Sequence, residues 1–291
     1  MKILCAYIRE NSPSEQAYEP PFKTFNRTKL YPSDSKELRE FTIESAQRKY
    51  AELYDTWADR GDHESMGGQV EKWLSSLPSL PSDISAALSV IRHRNSRQIQ
   101  IELSEQEFCS EPIFDVYLFD LSNANLQGAD LSGTRLSGFD FNGSCCDGAD
   151  FSNSEIQHCS FKQSSAIGSE FIEGKVVKTI FKDSNFERAN MNCDVLNDLY
   201  FSFCSINGAL IQGYEYIQCD FFKCEAEATQ FGGAIKDSRF LGCSLAFADL
   251  SGCHIYSTIF TEVENFELSD TRHTVITDCA FKNISLSTFK G

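Results

Sequence analysis

Asn123-Ala124-Asn125-Leu126-Gln127-Gly128-Ala129-Asp130-Leu131-Ser132-Gly133 states one five-residue unit twice: a small residue, an Asn or Asp, a leucine, and two polar or glycine positions. Stepping outward by five from Leu121 gives Leu126, Leu131, Leu136, Phe141, Cys146, Phe151, Ile156, Phe161, Ala166, Phe171 and Val176. The series runs on through Phe181, Phe186, Met191, Leu196, Phe201, Ile206, Ile211, Tyr216, Phe221, Ala226 and Phe231, 23 apolar centres in succession. Neither a helix period of 3.6 nor a strand period of 2 generates such a run. Two residues before each centre stands a second constrained position, which holds Ala, Ser, Thr, Cys or Gly in 18 of the 23 cases. The exceptions are Phe119, Phe139, Asp194, Leu199 and Tyr214. A large and a small residue recurring together every five residues fit a coil in which each unit forms one side of a square and sends both residues inward.

The phase slips back by one after Phe231, with centres at Phe240, Leu245, Leu250, Ile255 and Phe260. It returns at Phe266, Ile276, Phe281 and Leu286, with Thr271 a weak centre. One residue is therefore lost after Phe231 and one gained between Phe260 and Phe266. The quoted units resemble the A(D/N)LXX motif of the pentapeptide repeat family, over about 60% of the chain. The resemblance implies a mainly β fold, a right-handed quadrilateral β-helix over 113–291 with four units per coil, preceded by an α-helical region over 1–112. At ~4.8 Å between stacked strands, some nine coils make a rod of about 40 Å. Side chains twenty residues apart then form ladders, and Leu121, Phe141, Phe161, Phe181, Phe201 and Phe221 are the expected core column.

Residues before about 112 lack the period. Asp34 to Glu37 resembles a helix-capping box, followed by Leu38, Phe41, Ala46, Tyr50, Leu53 and Trp57 at near-helical spacing. A second helix is expected from about Gly68 through Trp73 to Leu77, and a third from Ser82 or Asp83 with Ile84, Ala87, Leu88 and Ile91 on one face. Segments 4–11 and 83–91 resemble the helical lead-in of one group of bacterial pentapeptide repeat proteins. The expected job of this region is to cover the first coil, because a bare β-helix end offers unpaired strand edges. Residues Ile284 to Gly291 carry no helical pattern, which leaves that end open to pairing of two rods as a homodimer.

With 42 acidic and 26 basic residues the formal charge is −16, which disfavours direct contact with nucleic acid or anionic lipid and favours a basic protein partner. The apolar start is too short for a signal peptide, and no run approaches the ~18 apolar residues of a membrane span, so a reducing cytoplasm is expected. Of the 12 cysteines, Cys159, Cys204, Cys219, Cys224, Cys243, Cys253 and Cys279 fall on the small inward position and read as core. Cys145 is expected to point outward. His63, His93, His158, His254 and His273 show no metal-ligand spacing and read as solvated. No catalytic residue, metal ligand or cofactor is assigned.

The surface carries the functional reading. Asp130, Asp150 and Glu170 should form an acidic ladder, Asp120 and Asp140 a second on the opposite side, and Arg135, Glu155 and Lys175 an alternating one. The simplest role of the acids is solubility; the second is an interaction surface. Asp194, at an inward position, is expected to swing out on a bulge, since a buried unpaired carboxylate is costly. The leading function is a non-enzymatic interaction or scaffold protein. The resemblance adds a DNA-mimicking, gyrase-binding role of the quinolone-resistance type, and the helical region adds an effector or enzyme with the β-helix as recognition arm.

Overall fold

The computed structural model describes residues 1–21, 66–104, 119–266 and 269–284. The expected helix over 38–57, the boundary at 112, His63 and the last seven residues lie outside them. From Phe119 onward the chain winds into a solenoid of short parallel strands. One face is a nine-stranded sheet from Phe119–Asp120 to Ala280–Lys282, and a second runs from Arg135–Ser137 to Val275–Thr277. The other two faces are rows of isolated parallel bridges, Asn125↔Cys145↔Ser165↔Asn185 and Asp130↔Asp150↔Glu170↔Asn190 among them. Each coil donates its amides to the next, as in Leu121 N to Asp140 O at 2.8 Å and Phe141 N to Ser160 O at 2.8 Å. Neighbour-to-neighbour bonding of this kind satisfies the backbone within the stack.

The interior is made of ladders. Phe141, Phe161, Phe181, Phe201, Phe221, Phe240, Phe260 and Phe281 stack ring on ring, with centroids 4.5 to 5.3 Å apart and planes within 18°. Phe151 and Phe171 begin a second column, 4.8 Å apart, and Phe151 meets Phe141 and Phe161 of the first edge-on. Each buried ring contributes roughly 1.5 to 3 kcal/mol, so the columns hold the coil without cross-links. Cys159, Cys204, Cys219, Cys224, Cys243 and Cys253 are buried at the small positions and Cys279 is half-buried, all as free thiols. Burial pushes the thiols of Cys159 and Cys219 up to about 12.

The five large residues at small positions resolve in two ways. Phe119, Phe139 and Leu199 stay inside. Asp194 is exposed, with its amide bonded to Gly174 O at 2.8 Å, while Cys193 takes the interior place. One coil on, Tyr214 is 83% exposed and Tyr216 fills the vacated space, its hydroxyl donating to Ile211 O and accepting from Gly232 N. The lost residue lies in the next coil: Gln212 pairs with Gly232 and Glu215 with Ala234, so three steps face two. Gly233 makes that corner with φ +97°, and a Cβ there would stand 1.9 Å from Gly213 O. Only glycine fits such a corner. The gained residue lies between Glu264 and Asp270, since Ser244 pairs with Glu264 but Asp249 with Asp270.

Four α-helices precede the rod among the described residues: α1 (Lys2–Asn11), α2 (Met66–Ser76), α3 (Ser82–Arg92) and α4 (Ser96–Ser104). Helix α3 buries Ile84, Ala87, Leu88 and Ile91, the face its 3.6-residue spacing dictates, and Pro81 rather than Ser82 or Asp83 is its N-cap. Cys5 and Ile8 of α1 and these α3 residues share one core with Leu121, Leu126, Leu131 and Leu136 of the first coil. Residues after α1 close the edge, with Ser14 N donating to Asn123 O at 2.7 Å and Asn125 N to Ser12 O at 2.6 Å. Helix α2 corrects the expectation that this region serves only the first coil. Its Val70 and Trp73 pack on Ile167, and Leu74 lies against Gly148 and Gly168, so it runs along the outer wall of later coils. Helix α4 had no strong signal, because its only apolar residues are Ile99, Ile101 and Leu103.

Candidate functional site

The inner rings fix the phase of every outer side chain, so the rod carries its polar residues in rows. Bridges place Asp130, Asp150 and Glu170 on successive coils of one face, while Asp120 pairs in register with Asp140 on the first sheet. The recurring Asp before each centre has a local duty. Its Oδ1 accepts the amide two residues on, at 3.0 Å for Asp120 to Ser122, 3.1 Å for Asp130 to Ser132, and 2.8 Å for both Asp140 to Asn142 and Asp150 to Ser152. These Asx bonds hold the corner that follows each strand, which explains Asp or Asn in the repeat without reference to any partner.

The second oxygen is what a ligand could meet. Two of the rows are already used at their first rung: Arg9 of α1 pairs with Asp120, and Arg92 of α3 with Asp130. Asp150 and Glu170 lie beyond these ion pairs, and Asp140 is half-buried with its carboxyl raised above the ordinary range by that burial. In the third row Arg135 Nε meets Glu155 Oε2 at 3.2 Å, with Lys175 the next rung. The sequence-predicted acids are thus arranged in rows, but two of the five are joined to the helices that close the rod.

Arg94 makes the closest join between helices and rod, and nothing in the sequence pattern marked it. Its side chain is 3% exposed, donates to Glu102 Oε2 at 2.7 Å and to Arg135 O, and lies 5.6 and 5.3 Å from the ring centroids of Phe119 and Phe139. Those two oversized residues at small positions make a platform for the guanidinium. Cys145 is a further correction: it is buried, and its thiol donates to Asp147 at 2.9 Å. Asp147 also accepts from Ser165 at 2.5 Å, Ile167 N at 2.8 Å and Gln127 at 3.2 Å. Burial, then Asp147, raises this thiol, the reverse of what an activated nucleophile needs.

A shallow polar groove of about 700 Å³ runs along the corner row Gly143, Gln163, Asp183, Phe203 and Lys223. Phe203 is 47% exposed and meets Phe222 edge-on, with Lys223 over both rings. Among the described residues no group of His, Cys, Asp and Glu is arranged to hold a metal ion, and His93, His158, His254 and His273 are exposed. No helix of the described residues is long and apolar enough to cross a membrane.

Eight copies of the model of pentapeptide repeats match residues 119–143 and 144–183, the stretch where the coils are most regular. The chain is a pentapeptide-repeat protein. Among solved pentapeptide-repeat structures it is similar to HetL, a protein involved in heterocyst differentiation regulation from the cyanobacterium Nostoc sp. strain PCC 7120. That likeness has 18% identity over 65% of this chain and 95% of HetL, with a TM-score of 0.29. Full-length QnrB1, a plasmid-mediated fluoroquinolone resistance protein, matches 54% of this chain and 89% of its own at 11% identity and TM-score 0.34. Rfr23 from the cyanobacterium Cyanothece 51142 matches 52% and 90% at 12% identity and TM-score 0.24. No curated protein matches this pentapeptide-repeat protein by sequence.

Proposed function

We propose that this pentapeptide-repeat protein is a non-enzymatic interaction protein that presents one side of its β-helix to a basic macromolecular partner. The observation that carries the reading is the in-register row of Asp150 and Glu170 beyond the Arg92 and Asp130 pair. It offers carboxylates at fixed spacing on a scaffold whose interior leaves them no freedom to shift. Arginine is the natural complement of such rungs, because its planar fork meets a carboxylate in two places. The fold of the rod and its net charge of −16 support the reading.

The test compares wild-type chain with an Asp150→Lys, Glu170→Lys variant in affinity capture from lysate of the source organism. The expected result is a basic protein retained by the wild type and lost, at least tenfold, by the folded variant. Equal retention by both assigns the row to solubility and ends this reading. A DNA-mimicking role is a narrower version of the same proposal, motivated by the acidic charge; inhibition of gyrase supercoiling by the chain, abolished in the same variant, is its expected outcome.

A further inference from the structure

The buried ladder that begins with Ala124, Ser144, Ser164 and Ser184 continues as Cys204, Cys224 and Cys243, one thiol per coil. The bridges Ser205↔Glu225↔Ser244 put the three in register, with Glu225 N donating to Cys204 O at 2.9 Å and Ser244 N to Cys224 O at 3.0 Å. Adjacent coils lie ~4.8 Å apart, inside the roughly 4.4 to 6.8 Å between Cα atoms that a disulfide spans. The three thiols are close enough to influence one another's ionisation. Cys159 and Cys219, by contrast, are separated on their own ladder by Thr179 and Leu199. Of the three, Cys204 lines the polar groove, whose lip carries Phe203 and Lys223 as an exposed pair. We propose that Cys204 and Cys224 are a peroxide-sensitive pair, joined as a disulfide when a hydroperoxide enters the groove.

The reaction takes two steps. The Cys204 sulfur attacks a peroxide oxygen and the O–O bond breaks. Cys204 becomes a sulfenic acid, and its proton goes to the leaving oxygen, which departs as an alcohol, or as water from hydrogen peroxide. The Cys224 sulfur then attacks the sulfenic sulfur, and its proton leaves with the hydroxyl as water. Two thiols are oxidised to one disulfide and one peroxide is reduced. Burial, then the neighbouring thiols of Cys204 and Cys243, holds Cys224 well above the ordinary thiol range. That leaves the first attack to Cys204, at the groove, since the first step needs a thiolate. The bond closes beneath Phe203 and Lys223, each the residue before one of the two cysteines, and so ties the oxidation state of the core to the groove surface. It involves neither Asp150 nor Glu170, so either proposal can fail alone.

The test treats the folded full chain with an excess of hydrogen peroxide, then unfolds it, alkylates the remaining thiols and maps the peptides by mass spectrometry. Wild type should carry a cross-link between Cys204 and Cys224 that dithiothreitol reverses. Serine fills the same ladder position at Ser144, Ser164 and Ser184, so serine variants of these cysteines keep the fold. Cys204→Ser should lower the yield of cross-link at least tenfold. Cys224→Ser should stop at a sulfenic acid on Cys204, trapped by dimedone, whereas Cys243→Ser should form the cross-link as wild type does. Absence of the cross-link from the folded chain overturns the proposal, as does its appearance only after unfolding in urea, or a bond from Cys224 to Cys243 in its place.

Discussion

The two ends of the rod are finished in different ways. At the amino end, Leu121 and Leu126 are fully buried under α1 and α3, and Arg94 is sealed between α4 and the rings of Phe119 and Phe139. At the other end, Ile276 and Phe281 are only half-buried and Val275 is 46% exposed. The same repeat makes both, so the repeat alone does not decide how well a coil is buried. A coil is stabilised by what lies on both sides of it, and a solenoid is weakest where one side is missing.

That contrast can be broken at single residues. The largest effect is expected at Phe201, stacked on both faces at 4.5 and 5.0 Å: Phe201→Ala should cost about 4 kcal/mol in urea unfolding. Arg94→Ala comes next. It strands the Glu102 carboxylate and the Arg135 carbonyl, and should cost about 3 kcal/mol, with Arg94→Lys recovering little because the ammonium lacks the planar fork. Phe281→Ala removes a ring of the same column that is partly exposed and stacked on Phe260, and should cost about 2 kcal/mol. Equal losses at Phe201 and Phe281 would mean that the far end is as well closed as the first.

The smallest effect concerns how α1 is held on α3. Tyr7 donates to Asp83 at 2.5 Å; this bond lowers the Asp83 carboxyl and raises the Tyr7 hydroxyl. A lowered carboxyl contributes stability above its unfolded value near ~4 that is lost as the pH falls through the folded one. A raised phenol contributes stability below ~10 that is lost as the pH rises through its folded value. Amide exchange in α1, corrected for its intrinsic pH dependence, should be slowest between those limits and faster on either side, and Tyr7→Phe should flatten that profile.

Within the rod much was legible because one constraint repeats. A large centre and a small partner every five residues fix which side chains face in, and hence which Asp, Glu and Arg share a row. The slip after Phe231 could be read for the same reason, as could the outward turn of Asp194, whose charge cannot stay in a dry core; the return of phase was read between Phe260 and Phe266, whereas the strand register places it between Glu264 and Asp270. Tyr214 was not foreseen in the same way, since an aromatic residue is acceptable inside. What turned it out was Tyr216 taking the space.

Outside the rod, α3 was legible from Ile84, Ala87, Leu88 and Ile91, but its partner was not, because an apolar stripe states that a face will be buried and not against what. The sequence by itself determined the coil, its register, its phenylalanine column and the rows of charge, since all of these follow from local spacing. Only the tertiary structure decided that α2 lies on the outer wall, that Arg9 and Arg92 occupy the first acidic rungs, and that Phe119 and Phe139 serve Arg94. Those contacts join residues about 20 to 110 positions apart, and no periodicity within either partner encodes the other.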